Sequence, residues 1–295
     1  MTMQVGSDKP AEMMYNFYRK PDDRRDSVFL TRFFSSEGMD LFPDMYLFKG
    51  PHFLYILFCA LAFIVLMKVL PGRGPKVRRI VVLVSTILML VLKYGGEVIF
   101  VSEYYASAEP VSANTHSFFD WRTLISFQIC GINNILLPLV VWFDWKKAKD
   151  FVYGSSILGG LAVILYPVGV LFGDPIVLTF PLIRTLLVHF LLFFLPCYLI
   201  REKTFKFEIR HWPRVLVGTL LAMAWAMYGN LFVDPDANNM YMMQNPFYGG
   251  PIPLLNAIPD GWHLIFILAM IALGFLVIYA LSGAFRRRRR LDIPA

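Results

Sequence analysis

The residues of this chain that could do chemistry are polar side chains set inside long apolar runs. Lys93 and Glu97 lie four apart, so on a helix they share a face and can pair. Gln128, Cys130, Asn133 and Asn134 follow in another run, with Cys130 and Asn134 again on one face, and Arg184 and His189 occupy a third. Asn230 closes a fourth run, just before a connection that holds Asn239. Ionisable groups inside lipid are costly, so they usually face an interior cavity and mark function. Each has a bland alternative. His189 could bond between helices, Lys93 and Glu97 could be an ion pair that fixes packing, and Cys130 could be a small buried hydrophobe, as Cys59 and Cys197 read. His52 and His263 stand near the ends of their runs and read as interfacial. His116 and His211 fall in connections and carry little weight.

The elements that must position these residues follow from composition. Of 295 residues, 57% are hydrophobic and 17% charged, with mean hydropathy +0.56, which is too apolar for one soluble core. About 20 apolar residues cover the roughly 30 Å hydrocarbon layer as a helix. Seven such runs occur, near 53–70, 80–101, 123–143, 151–172, 182–200, 215–233 and 262–285. They lack the alternation of barrel strands, so the expected fold is all-α: a polytopic helical membrane protein, with six spans and one re-entrant segment as the alternative. The expected division is a polar tail over 1–50, a transmembrane domain over 51–285 and a basic tail over 286–295. Gly159, Gly160 and Gly169 in the fourth run allow close helix approach.

Charge orients the chain. Arg73, Lys76, Arg78 and Arg79, then Lys146, Lys147 and Lys149, then five basic residues in 201–214, then Arg286 to Arg290 all fall in alternate connections, which places those connections and the C-terminus in the cytoplasm. The intervening connections hold one basic residue, Arg122, against seven acidic ones, and odd parity puts the N-terminus outside. The net charge of +7 arises from these short runs, so a membrane and not nucleic acid is the partner. With this orientation the polar residues above lie in the outer half of the bilayer, as for a pocket opening outward, and the inner halves hold nothing comparable. Three scattered cysteines give neither a disulfide framework nor a metal site, and no metal or cofactor is expected. The run from Asp234 to Tyr241 lacks EF-hand spacing and reads as turn chemistry.

Three segments together resemble the YwaF family of bacterial integral membrane proteins, which is related to an animal transmembrane cysteine acyltransferase of ether phospholipids. They are Ile125-Ser-Phe-Gln-Ile-Cys130-Gly-Ile-Asn-Asn-Ile-Leu-Leu-Pro138, Arg184-Thr-Leu-Leu-Val-His189-Phe-Leu-Leu-Phe-Phe-Leu-Pro196, and Asn239-Met-Tyr-Met-Met-Gln-Asn-Pro246 followed by Gly261-Trp262. Phe48-Lys-Gly-Pro-His52 also fits, so the resemblance covers about 45–285. It implies that Cys130 matches an acyl-accepting nucleophile and His189 its catalytic partner, in a cell-membrane enzyme acting on phospholipid. A thiol in an apolar setting needs a base such as His189 or a cation such as Arg184. Asn134 first, then Asn133, Gln128 and Arg184, are the donors for developing negative charge, with Lys93, Glu97, Asn230 and Asn239 as pocket or structural polar groups. Gln128 departs from the family pattern, where a His commonly stands two residues before the Cys. The alternative is a solute or proton transporter without covalent catalysis. Oligomeric state is not legible.

Overall fold

A computed structural model of the protein describes residues 33–36, 48–107, 115–124, 126–166, 179–235, 237–245 and 253–291. Most of the expected N-terminal tail, Gly169, Asp236 and Pro246 lie outside the described residues. Among the described residues seven helices carry the fold: α1 Gly50–Val69, α2 Pro75–Ala106, α3 Ile129–Trp142, α4 Lys146–Leu165, α5 Phe180–Arg201, α6 Trp212–Tyr228 and α7 Trp262–Leu291. Single helical turns at Trp121–Leu124 and Pro253–Asn256 precede α3 and α7. Among the described residues there is no strand.

Six of these helices are long and apolar enough to cross a membrane, and α3, with 14 residues, is the short one. At 1.5 Å per residue it covers about 21 Å, less than the hydrocarbon layer. The expected run 123–143 is therefore interrupted: one turn ends at Leu124, and the helix restarts after Gln128, whose backbone is extended. α6 continues into a π-helical turn, Gly229–Val233, and α7 runs on through the arginines to Leu291.

The alternating basic connections meet at one end of the bundle. Gly72 N–H and Arg78, from the connection and start of α2, reach Glu202 after α5, at 2.7 and 3.7 Å. Asp150, in the first turns of α4, takes His211 at 3.2 Å and Arg214 at 3.1 Å, both at the start of α6. Ser282 Oγ, late in α7, donates to Phe207 O at 3.2 Å. Two expectations change here. Asp150 is fully buried, so this end does hold a charged cluster, and His211 is part of it. Sequence patterning missed it because Asp150 and His211 sit just outside the apolar windows.

α4 is the hub, in contact with α1, α3, α5, α6 and α7. A Cβ at Gly160 would stand 2.5 Å from His189 O on α5, and one at Gly159 would stand 3.0 Å from Cys130 Sγ on α3. Gly154 likewise admits the Phe275 ring from α7. Asn133 Nδ2 donates to Ser155 Oγ at 2.9 Å, tying α3 to the same helix. The outer surfaces of α1, α2, α6 and α7 carry exposed Leu, Ile, Val and Phe, the face expected toward lipid.

Two histidines staple the ends of α1 and α7. His52 Nδ1 accepts Phe48 N–H at 3.1 Å, which leaves the proton on Nε2, 3.3 Å from Ile164 O at the end of α4. His263 Nδ1 accepts Gly261 N–H at 3.0 Å, and its Nε2 donates to Tyr241 O at 3.0 Å. Both rings are fully buried, not interfacial as their positions in the sequence implied. Replacing Gly160 by Val should force α4 off α5 and cost about 1–3 kcal/mol. Thermal unfolding in detergent should show a lowered midpoint beside an unchanged Gly50→Ala, whose site has open space. An unshifted Gly160→Val would mean the helices do not meet there.

Candidate functional site

Between the helices lies a cavity of about 2690 Å³, well above the ordinary ligand-pocket range of about 300–1,000 Å³. Lys93, Glu97, Gln128, Cys130, Asn134, Arg184, His189 and Asn239 all line it. Eight of the residues singled out in the sequence thus line one space. The cavity is not confined to that half, since it also reaches Lys146, Lys206 and Arg214 at the basic end. Asn133 and Asn230 are absent from its lining; both are buried and hold other elements in place.

The break before α3 determines how Cys130 is presented. Ser126 seats against Gly131, where a Cβ would stand 2.3 Å from Ser126 Oγ, and that Oγ accepts Gln128 N–H at 3.1 Å. Ser126 O accepts Trp225 Nε1 from α6 at 3.2 Å, and Gln128 Oε1 accepts Met240 N–H at 2.9 Å. The polar groups released by the break are therefore met from α6 and from the 239–241 turn, the condition for irregular backbone at membrane depth. α3 then begins at Ile129. Ile132 N–H donates to Gln128 O at 2.9 Å, while the N–H groups of Ile129, Cys130 and Gly131 precede the first intrahelical bond. Cys130 consequently occupies the first turn of a helix, the positive end of its dipole, and not the interior of a span.

His189 comes from α5, one face of which meets α4 at Gly160. Its Nδ1 lies 2.7 Å from Thr185 O, and a carbonyl can only accept, so the proton is on Nδ1 and Nε2 carries the lone pair. Cys130 and His189 flank consecutive residues of α4, Gly159 and Gly160, and no hydrogen bond joins them directly. Asn134 Oδ1 is buried without a partner.

Glu97 organises the remaining charges. Lys93 Nζ pairs with its Oε1 at 3.2 Å and His116 Nε2 with its Oε2 at 2.9 Å. His116 is buried, contrary to the little weight its connection position gave it; the missed signal was a histidine close in sequence to a span carrying an acid. Arg184 lies with its guanidinium against Gly96, over the Phe100 ring at 4.9 Å, and its Nη1 donates to Lys93 O at 3.4 Å.

A turn at Asn239–Tyr241 closes the cavity at this end. Asn230 Oδ1 accepts both Asn239 N–H and Nδ2 at 2.8 Å, and Asn230 Nδ2 donates to Asn239 O at 3.2 Å. Met240 and Tyr241 adopt positive φ, 52° and 55°, conformations that the surrounding bonds must hold. Burial pushes the Tyr241 phenol up to about 12, so it faces Cys130 uncharged. Among the described residues no group of three His, Cys, Asp or Glu side chains gathers to hold a metal ion.

A family model described as the TMEM164 family matches residues 47–282. No curated protein and no solved structure matches the chain. The matched range agrees with the span of the three resembling segments and takes in every residue of the cavity named above.

Removing the Gln128 side-chain acceptor should loosen the turn. In Gln128→Ala, hydrogen exchange at Met240 to Met242 should accelerate about fivefold, the weight of one lost hydrogen bond, while Gln128→Glu keeps the acceptor and the protection. Equal exchange in both variants would remove Gln128 as the tether.

Proposed function

The chain belongs to the TMEM164 family, and from that premise we propose that it is a multi-pass membrane enzyme that transfers a fatty-acyl group between phospholipids through a thioester on Cys130. The observation that carries this reading is the placement of Cys130 in the first turn of α3, on a lipid-sized cavity that also takes in His189 with Nε2 unprotonated. The resemblance of these two segments to the YwaF family, which is related to a transmembrane cysteine acyltransferase, supports the reaction class.

In the first half-reaction His189 Nε2 takes the Cys130 thiol proton, directly or through one bridging water, as Sγ attacks the ester carbonyl carbon. The negative charge that develops on the carbonyl oxygen falls at the helix start, where the Cys130 and Gly131 N–H groups precede the first intrahelical bond and Asn134 can add its Nδ2. The ester C–O bond breaks, the leaving lipid oxygen takes the proton from His189, and the acyl group remains on sulfur. In the second half a lipid hydroxyl gives its proton to His189 and attacks the thioester, and the thiolate leaves and is reprotonated. The apolar cavity keeps bulk water from the thioester. Arg184 is not needed as an activating cation in this scheme, because the helix start and His189 serve the thiol.

The orientation we propose puts the basic end in the cytoplasm, with the N-terminus outside, so that Cys130 lies in the outer half of the bilayer of the cell membrane. An impermeant thiol reagent on intact cells should label Met243→Cys and spare Lys203→Cys; the opposite pattern would invert the topology.

Purified protein incubated with phospholipid should gain one fatty-acyl mass on a peptide containing Cys130. Cys130→Ser should abolish acyl transfer, and His189→Ala should slow it about a hundredfold or more. Full transfer in Cys130→Ser would end the thioester reading. The length of the cavity gives the transporter reading its one support, and solute flux in liposomes that survives Cys130→Ala would favour it.

A further inference from the structure

Arg184 is a guanidinium inside a membrane bundle with no ion pair among the described residues. The nearest acid that acts on it, Glu97, has one oxygen on Lys93 and the other on His116. Arg184 Nη1 has a carbonyl acceptor in Lys93 O, whereas its Nε is buried without any. A cation inside a bundle without an ion pair is among the costliest groups a protein can carry, and more so in lipid. The chain nevertheless invests structure in holding it there. Gly96 leaves room for the guanidinium, since a Cβ would stand 2.4 Å from its Cζ, Nε and Nη1, and the Phe100 ring covers its face. Stacking on the face leaves the edge that carries Nε and Nη2, the fork that matches two oxygens of one anion.

We propose that this edge of Arg184, with Lys93 beside it, is the binding site for the phosphodiester of a membrane phospholipid. The inference deepens the reading above: it rests on the cavity being a lipid site, and it does not rest on covalent chemistry at Cys130. Three observations favour phospholipid over a free anion. Arg184 lines the same cavity as Cys130, so a ligand held at one end by its phosphate has its acyl chains in an apolar space. Arg184 and His189 lie on one helix, five residues and about 7.5 Å apart along its axis, a separation comparable to that between the phosphate and an acyl ester of one glycerolipid. The exposed faces of the surrounding helices meet lipid on several sides. The guanidinium would then fix where along the cavity the ester lies, as a positioning residue.

The probe is a dialkyl ether phospholipid, which has the phosphodiester and no ester to cleave, with the matching dialkylglycerol as its phosphate-free control. Retention of each is measured by native mass spectrometry of the full chain released from detergent. Wild-type protein should retain the phospholipid, and Arg184→Gln should weaken it about tenfold or more while retaining dialkylglycerol as before, which also reports an intact fold. Gly96→Ala leaves every charge in place and displaces only the guanidinium, and it should weaken the phospholipid in the same sense. Cys130→Ser should retain it at the wild-type level, which separates this site from the thioester reading. Unchanged phospholipid retention in both Arg184→Gln and Gly96→Ala overturns the proposal. So does release of the phospholipid by millimolar inorganic phosphate, which would make this a site for the free ion.

Discussion

The arrangement of the site depends on how closely α4 approaches its two neighbours. In lipid no hydrophobic drive pulls one helix against another, so packing and a few polar bonds must hold the bundle. Gly159 and Gly160 remove the side chains that would otherwise separate α4 from α3 and α5. The consequence is geometric: Cys130 and His189 are placed by consecutive residues of a third helix and not by a bond to each other. Their separation is thus a property of the scaffold.

The second constraint is that every backbone group exposed by irregular structure must find a partner. The interruption before α3 meets it with Ser126 Oγ, Trp225 Nε1 and the Gln128 side chain, each taking or giving one bond across elements. His52 and His263 apply the same logic at the starts of α1 and α7, each accepting a backbone N–H on Nδ1 and reaching a carbonyl of another element with Nε2. A neutral ring used on both nitrogens is a rigid two-ended tie, and these ties fix α1 to the end of α4 and α7 to the turn above Cys130.

Much of the architecture was legible in the sequence because apolar length is a strong signal. All seven runs became helices, and the alternating basic connections gathered at one end, as Arg78, Glu202, Asp150 and Arg214 attest. What apolarity concealed was the interruption at 125–128: Ile125, Phe127 and Ile129 keep the hydropathy high, while Ser126 and Gln128 are the only polar residues that hint at it. Cys130, Asn134, Arg184 and His189 line one cavity. Spacing could not separate Asn133 from Asn134, adjacent residues that face Ser155 and the cavity respectively. Nor could it find His116 or Asp150, whose burial comes from contacts more than a dozen residues away in sequence.

Unmet hydrogen-bonding capacity is unevenly distributed along the cavity, and that asymmetry bears on what occupies it. At the basic end the acids are paired: Asp150 has His211 and Arg214, Glu202 has Arg78, and Glu208 has Lys206 and Arg210. At the Cys130 end Arg184 Nε and Asn134 Oδ1 are buried without a partner among the described residues. Three hydroxyls elsewhere, on Ser156, Tyr198 and Tyr279, are also unpartnered, but a neutral hydroxyl costs far less to leave so than a guanidinium. Leaving the Arg184 Nε–H unmet is a standing cost in a low-dielectric setting, and a ligand that brought an oxygen acceptor to that end would offset it. The phospholipid proposed for this site, with ester and phosphodiester oxygens on an otherwise apolar molecule, is a ligand of that kind.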